Sequence, residues 1–399
     1  MLARSIVAIL VTASAGIFAS ENDGKVLNVY NWADYIGETT IKNFEDEYGI
    51  KVNYDVYDSA QIVDAKLMAG KSGYDVIVHA ATNSARLIPI GVFQQLDKER
   101  LSNWDNLDPV LLTNFAKYDP DNQYGVPYMW GTTGFSYNKE MVAERMPNAP
   151  VGSAQLIFDP ETVSKFADCG VSLLDSASEV IGMAMLYLGH DANSVAPEHL
   201  EQAERLLRSI RPHVKYFSST KLLLDLPAKE VCIAMSWSGD YSVANRRAAD
   251  AGIDITLGYT IPTEGSLIWF DVAYIPADAA NVHGAHLFLD FIMRPDVIAE
   301  VSNFIGYANA NREASLLMDA DIVTDPAIYP DATTLKRLSD TQTLHPKLDR
   351  LRSRVWTRVK SSSSQRSRWV CVSREQKGTQ VVISGRDGAV ARGQNALSS

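Results

Sequence analysis

Beyond its first twenty residues the chain has no stretch approaching eighteen consecutive apolar residues, so nothing after the start is long enough to span a bilayer. Cysteine is scarce, with only Cys169, Cys232 and Cys371. In an oxidising compartment two of the three would pair. Sequence alone does not choose the pair, although the surroundings favour Cys169 with Cys232, because Cys371 lies in an atypical tail. Catalytic signatures are missing as well: there is no G-x-x-x-x-G-K-S/T, no G-x-G-x-x-G after a strand, no G-x-S-x-G and no H-E-x-x-H. His283 and His286 stand three apart, but no third ligand accompanies them, so they read as helix-start histidines and no metal site is assigned. DPDNQYG (119–125) has Tyr124 where a calcium loop needs glycine, and reads as a turn. Positive charge is also in deficit, with 37 Lys and Arg against 48 Asp and Glu and a formal net charge of −11. Such a balance disfavours nucleic acid as a partner and suits a cationic one.

What is present begins with an export signal. Residues 1–20 carry one charge, Arg4, ahead of a short apolar run and the small residues Ala13, Ser14 and Ala15, the pattern of a cleaved secretory leader. The remaining composition, 46% hydrophobic and 21% charged, is that of an ordinary globular protein. VLNVY alternates as a strand from Val26, and residues 38–48 place Ile41, Phe44 and Tyr48 on one helical face. IKVNYDV alternates again through Ile50, Val52, Tyr54 and Val56, Ala60–Ala69 reads as helical, and YDVIV as a buried strand. The alternation of strand and helix argues for a parallel α/β sheet. Further on, 197–210 has helical spacing, 230–237 and 266–276 read as strands, and 284–293 reads as a helix stopped by Pro295. After Lys360 a serine run opens a basic, aperiodic stretch, and 365–399 reads as a disordered tail.

Four segments pair aromatic residues with carboxylates, or place an aromatic alone, at strand ends or in loops: YNWADY (30–35), SWSGDY (236–241), IWFDV (268–272) and GYANAN (306–311). In open α/β sheets these are the positions where ligands bind. An extended organic cation fits their chemistry. A buried ammonium needs a paired carboxylate, and a methylene chain needs flat apolar walls, which indole and phenol rings supply together with cation–π attraction.

At these residues the chain resembles the periplasmic polyamine-binding proteins, the putrescine and spermidine receptors of ABC importers. VYNWADYI, AKLMAG, GVFQQLDK, DPDNQYGVPYMWGTTGFSYN, CIAMSWSGD, FDVAYIPADA, YANAN and HPKLDR run in that order from about residue 26 to about 360. The resemblance implies a two-lobe α/β fold of the type II-like solute-binding class with its ligand in the interlobe cleft. Lobe 1 would comprise 21–132 and a return segment, 260–315. Lobe 2 would comprise 133–259, with the C-terminal segment 316–364 packing on it. Chain crossings would fall at 130–138 and near 259–265. Carried over residue by residue, Trp32 and Tyr35 are first-lobe aromatics and Asp34 lies between them near an amine. Glu179 is an acid from the second lobe. Trp237 stacks on the methylene chain, Asp240 and Asp271 anchor amines, Trp269 lies beside Asp271, and Tyr307 is the aromatic of YANAN. The resemblance also implies a Cys169–Cys232 disulfide. Where relatives carry a Pro-Ser type loop after the third strand, this chain has His79, Ala80, Ala81, Thr82 and Asn83. Ala80 lacks the hydroxyl, and Thr82 is the expected substitute.

The implied partners are a polyamine and an inner-membrane ABC permease, the location periplasmic, and the state monomeric, with no cofactor and no catalysis. A polyamine sensor docked on a membrane signalling protein, or a receptor for another organic cation, would use the same body. Setting aside the leader and the tail, residues 21–364 hold 30 basic and 46 acidic side chains, so the receptor body is more acidic than the whole chain.

Overall fold

The computed structural model describes residues 24–362 together with 374–375 and 378–379. The leader, Cys371 and most of the tail lie outside the described residues.

The first lobe opens with β1 (Val26–Trp32), α1 (Thr40–Tyr48), β2 (Lys51–Tyr57), α2 (Ala60–Met68), β3 (Val76–Ala80) and α3 (Ala81–Leu87). These spans follow the apolar periodicity closely, because each element has one face to bury. Phe44, Val63 and Leu87 supply the helices' inward side chains. The strand β4 (Gly125–Asn138) then runs fourteen residues with all but one position buried. Its first half pairs with the later strand Ser266–Tyr274 and its second half with Ile233–Trp237 and Leu257–Thr260.

The second lobe contains β5 (Val171–Leu173), α4 (Ala177–Tyr187), α5 (Pro197–Ile210), β6 (Val214–Phe217), β7 (Ile233–Trp237), α6 (Asp240–Asp250) and β8 (Leu257–Thr260). The chain returns through β9 (Ser266–Tyr274) to α7 (Val282–Ile292) and α8 (Pro295–Ile305), which pack in the first lobe. The helix α9 (Pro346–Ser361) ends the described fold. The strand order is β2-β1-β3-β9-β4-β7-β5-β6, with β8 and two shorter strands pairing additionally with the central β4 and β9.

Two separate apolar cores lie on either side of the crossings. Trp130 belongs to the first and Phe135 to the second, while on the return Leu267 belongs to the second and Ile268 to the first. The second crossing therefore falls inside β9, a few residues beyond YTIPTEG. The C-terminal segment also divides. Met318, Ile322 and Ile328 pack in the first core, and Val355, Trp356 and Val359 of α9 reach the second. The segment 316–364, expected to pack on lobe 2, is thus shared between the two cores.

Cys169 and Cys232 form a disulfide with Cα atoms 5.5 Å apart, joining the approaches to β5 and β7. His286 accepts the Asp97 backbone N–H at 3.0 Å and donates to the Val282 carbonyl at 2.8 Å, so its ring serves the local fold. Among the described residues no helix is long and apolar enough to cross a membrane.

Candidate polycation site

The site forms where β4 and β9 cross between the cores. Asp271 lies on β9 opposite Ala80 of β3 and is 8% exposed. The Tyr35 hydroxyl donates to its Oδ2 at 3.0 Å, and the Trp32 indole N–H lies beside the carboxylate without completing a hydrogen bond. Burial raises this carboxyl to about 7, Tyr35 and Trp32 pull it back, and the Glu179 charge adds to the rise. Desolvation dominates because the charged form loses its water.

Asp240 follows β7 at the start of α6. Its Oδ2 accepts the Trp237 backbone N–H at 3.0 Å and its Oδ1 accepts the Tyr307 hydroxyl at 2.7 Å. Burial raises it to about 6 against the downward pull of Tyr307, the Trp237 N–H and Arg247. Glu179 sits in the first turn of α4, whose Ser176 side chain caps the Glu179 N–H. The Thr133 hydroxyl donates to Glu179 Oε2 at 2.5 Å. Burial raises Glu179 to about 7, opposed by Thr133 and the Trp237 indole.

The aromatic rings connect these acids. Trp237 meets Trp269 at 6.4 Å between centroids, Trp269 meets Tyr307 at 5.6 Å, and Tyr307 meets Tyr35 at 5.3 Å, each pair edge-on. Edge-to-face contacts of this kind hold rings in fixed orientations. Gly131 makes the arrangement possible: a Cβ there would sit 2.5 Å from the Trp269 ring and 2.6 Å from Ser238 Oγ. At Gly239 a Cβ would collide with the Tyr307 ring.

Asp34 and Thr82 are placed differently. Asp34 takes a left-handed backbone conformation, φ 56°, which turns its carboxylate outward to pair with Arg247 at 3.0 Å, 58% exposed. It bridges the lobes at the surface instead of joining the buried acids. Thr82 is in the first turn of α3, where its carbonyl accepts the Thr343 hydroxyl at 2.9 Å.

Two neighbours went unnoticed in the sequence. Thr133 lies in a segment read only as a chain crossing. Tyr57 packs on Trp32 with centroids 4.3 Å apart, whereas the alternation through Val56 pointed to the wrong residue: Val56 is 53% exposed and Tyr57 is buried.

Among the described residues, none of Glu179, Asp240 and Asp271 pairs with a lysine, arginine or histidine side chain; their partners are hydroxyls and N–H groups. Three acids withdrawn from water without a cation are costly unless something brings the charge to them. Such an arrangement can desolvate an organic cation bearing more than one ammonium, with rings along its methylenes.

The fold is that of a solute-binding protein. The family model described as bacterial extracellular solute-binding protein matches residues 39–330, and the chain belongs to that family. It is 45% identical over 354 residues to the putrescine-binding periplasmic protein PotF of Escherichia coli, covering 88% of this chain and 95% of that one. It is 43% identical to the putrescine-binding periplasmic protein SpuD of Pseudomonas aeruginosa, covering 90% and 98%. Among solved structures, a putative spermidine/putrescine ABC transporter protein from Listeria monocytogenes superposes with a TM-score of 0.76 at 31% identity, covering 85% of this chain and all of that one.

Proposed function

We propose that this chain is an exported receptor that captures a polyamine between its lobes and delivers it to an inner-membrane ABC permease. The observation that carries this reading is the set of three buried, cation-free acids, Glu179, Asp240 and Asp271, lined by Trp237, Trp269 and Tyr307. Relatives named for putrescine and spermidine binding support it.

In this reading each ammonium replaces its water by a carboxylate, and charge-assisted hydrogen bonds offset the loss. Trp32, Tyr35 and Asp271 belong to the first lobe, and Glu179, Trp237 and Asp240 to the second. A ligand touching both groups favours the closed arrangement over the open one, since a ligand shifts an equilibrium by its differential affinity. The protein acts as a periplasmic monomer and carries its ligand without transforming it.

Calorimetry of the secreted protein with putrescine, cadaverine, spermidine and spermine tests the proposal. Saturable one-to-one binding of at least one of them is expected. Silence across all four would refute it.

A further inference from the structure

Next to Trp32 and Tyr57 of the first lobe lies a polar cluster that the proposed ligand chemistry does not use. His79, on β3, has no solvent exposure. Its Nε2 lies 3.0 Å from Asp64 Oδ1 on α2. The other Asp64 oxygen accepts Asn83 Nδ2 at 2.9 Å and the Arg86 guanidinium at 3.2 Å, both from α3. Burial is the largest single influence on the Asp64 carboxyl and pushes it up, but the His79 interaction, the Asn83 hydrogen bond and the Arg86 charge together outweigh it and hold the group below its usual range. Asp64 is therefore an ionised acceptor, which makes His79 Nε2 the donor and leaves Nδ1 facing the Tyr57 hydroxyl at 3.5 Å. That hydroxyl donates to the Val78 carbonyl, in the residue just before His79.

The imidazole neighbours the aromatic pair Trp32 and Tyr57. Its ring centroid lies 6.4 Å from Tyr57 and 6.5 Å from Trp32, and those two rings pack on each other. Trp32 and Tyr57 are also paired in the β1–β2 register, so their backbones are aligned while their ring tilt is left to what lies beneath. A buried imidazole tied by one nitrogen to a fixed carboxylate is held in one orientation beside these rings; an apolar residue of similar volume lacks that tie.

We propose that His79, oriented by Asp64, is a positioning residue for the binding cleft, acting through Tyr57 to hold the Trp32 ring where it faces the ligand. The assignment rests on the polyamine-receptor reading for its ligand but not for its geometry. It also gives a role to the departure at 79–83: Ala80 contributes no hydroxyl, and His79 and Asn83 support the neighbouring ring instead.

The test compares His79→Leu, which removes the donor, with His79→Gln, which restores a side-chain N–H. Two readouts are used. The first is the Trp32 resonance in 19F spectra of ligand-free, 5-fluorotryptophan-labelled protein, identified by its loss in Trp32→Phe. The second is affinity for the best ligand of the four-amine panel. His79→Leu is expected to shift the Trp32 resonance and weaken binding roughly tenfold or more, the scale set by an unmade buried hydrogen bond. His79→Gln is expected to restore both substantially, and Asp64→Asn to resemble His79→Leu. An unmoved Trp32 resonance in His79→Leu, or unchanged affinity despite lowered stability, would overturn the positioning role. If the wild type binds none of the amines, the receptor reading fails, and the 19F comparison alone still decides whether His79 holds Trp32.

Discussion

With the ligand's ammonium groups on Glu179, Asp240 and Asp271, as proposed, binding becomes a proton-linked reaction whose size follows from the environments of the three acids. Asp271 and Glu179 are raised to about 7 and Asp240 to about 6, against roughly 3.9–4.3 for such groups in an unfolded chain. A carboxyl with a raised folded-state value destabilises the ligand-free fold as pH rises from its unfolded to its folded value, because ionisation is harder inside than outside. A bound dication reverses this, since it requires the ionised form. At pH 8 the acids are ionised and binding proceeds without proton loss. At pH 6, ionising Asp271 and Glu179 costs about tenfold each in affinity and Asp240 about twofold, so Kd should rise by about two orders of magnitude. Amines with pKa values near that of lysine, about 10.4, stay protonated throughout. Calorimetry in two buffers of different ionisation enthalpy should show release of about two protons per ligand at pH 6.5 and almost none at pH 8. Thermal melts should show the complementary trend, with the ligand-induced rise in Tm larger at pH 8 than at pH 6. An affinity flat between pH 6 and 8, with no proton release, would refute the placement of these acids against the ligand's charges.

Three further outcomes test separate parts of the structure. Asp271→Asn should weaken polyamine binding by about 10²–10³-fold, the scale of removing one partner from a buried ion pair, yet raise the ligand-free Tm at pH 8; a parallel fall in both would mean that the side chain is structural. Asp34→Asn should weaken binding less than tenfold, because exposed ion pairs contribute about 0–1 kcal/mol, and a loss as large as that of Asp271→Asn by titration calorimetry would place Asp34 at the ligand after all. Replacing Cys169 and Cys232 by serine opens a loop whose ends are 63 residues apart; chain entropy predicts a loss of about 4 kcal/mol in urea unfolding, with ligand affinity essentially unchanged.

Much of the secondary structure could be read directly from periodicity. The strand at Val26, the helix placing Phe44 inward and the helix at 197–210 each carry a local repeat that survives folding because each buries one face. The candidate site was legible as chemistry but not as geometry. YNWADY, SWSGDY and IWFDV look alike as strings, yet Asp240 and Asp271 are buried while Asp34 is turned to solvent by a left-handed residue at the end of β1. Tyr57 and Thr133 have no local mark. One is found because β1 and β2 pair in a register that brings it beside Trp32, the other because β4 passes close to α4. His79 likewise has no local mark, because its partner Asp64 lies fifteen positions earlier and meets it only in the fold.

By itself the sequence determined the α/β class, the strands and helices of each lobe, the stock of aromatic and acidic residues, and the negative charge of the body. These properties depend on neighbours within a turn or a strand, or on simple sums, so a linear string contains them. Only the tertiary structure decided which acids lose their water, which rings face one another across the crossing strands, and how the C-terminal segment divides between the cores. Burial and long-range pairing are properties of surfaces brought together from distant parts of the chain. The raised carboxyls that make this cleft suited to a cation exist only once the two lobes enclose them.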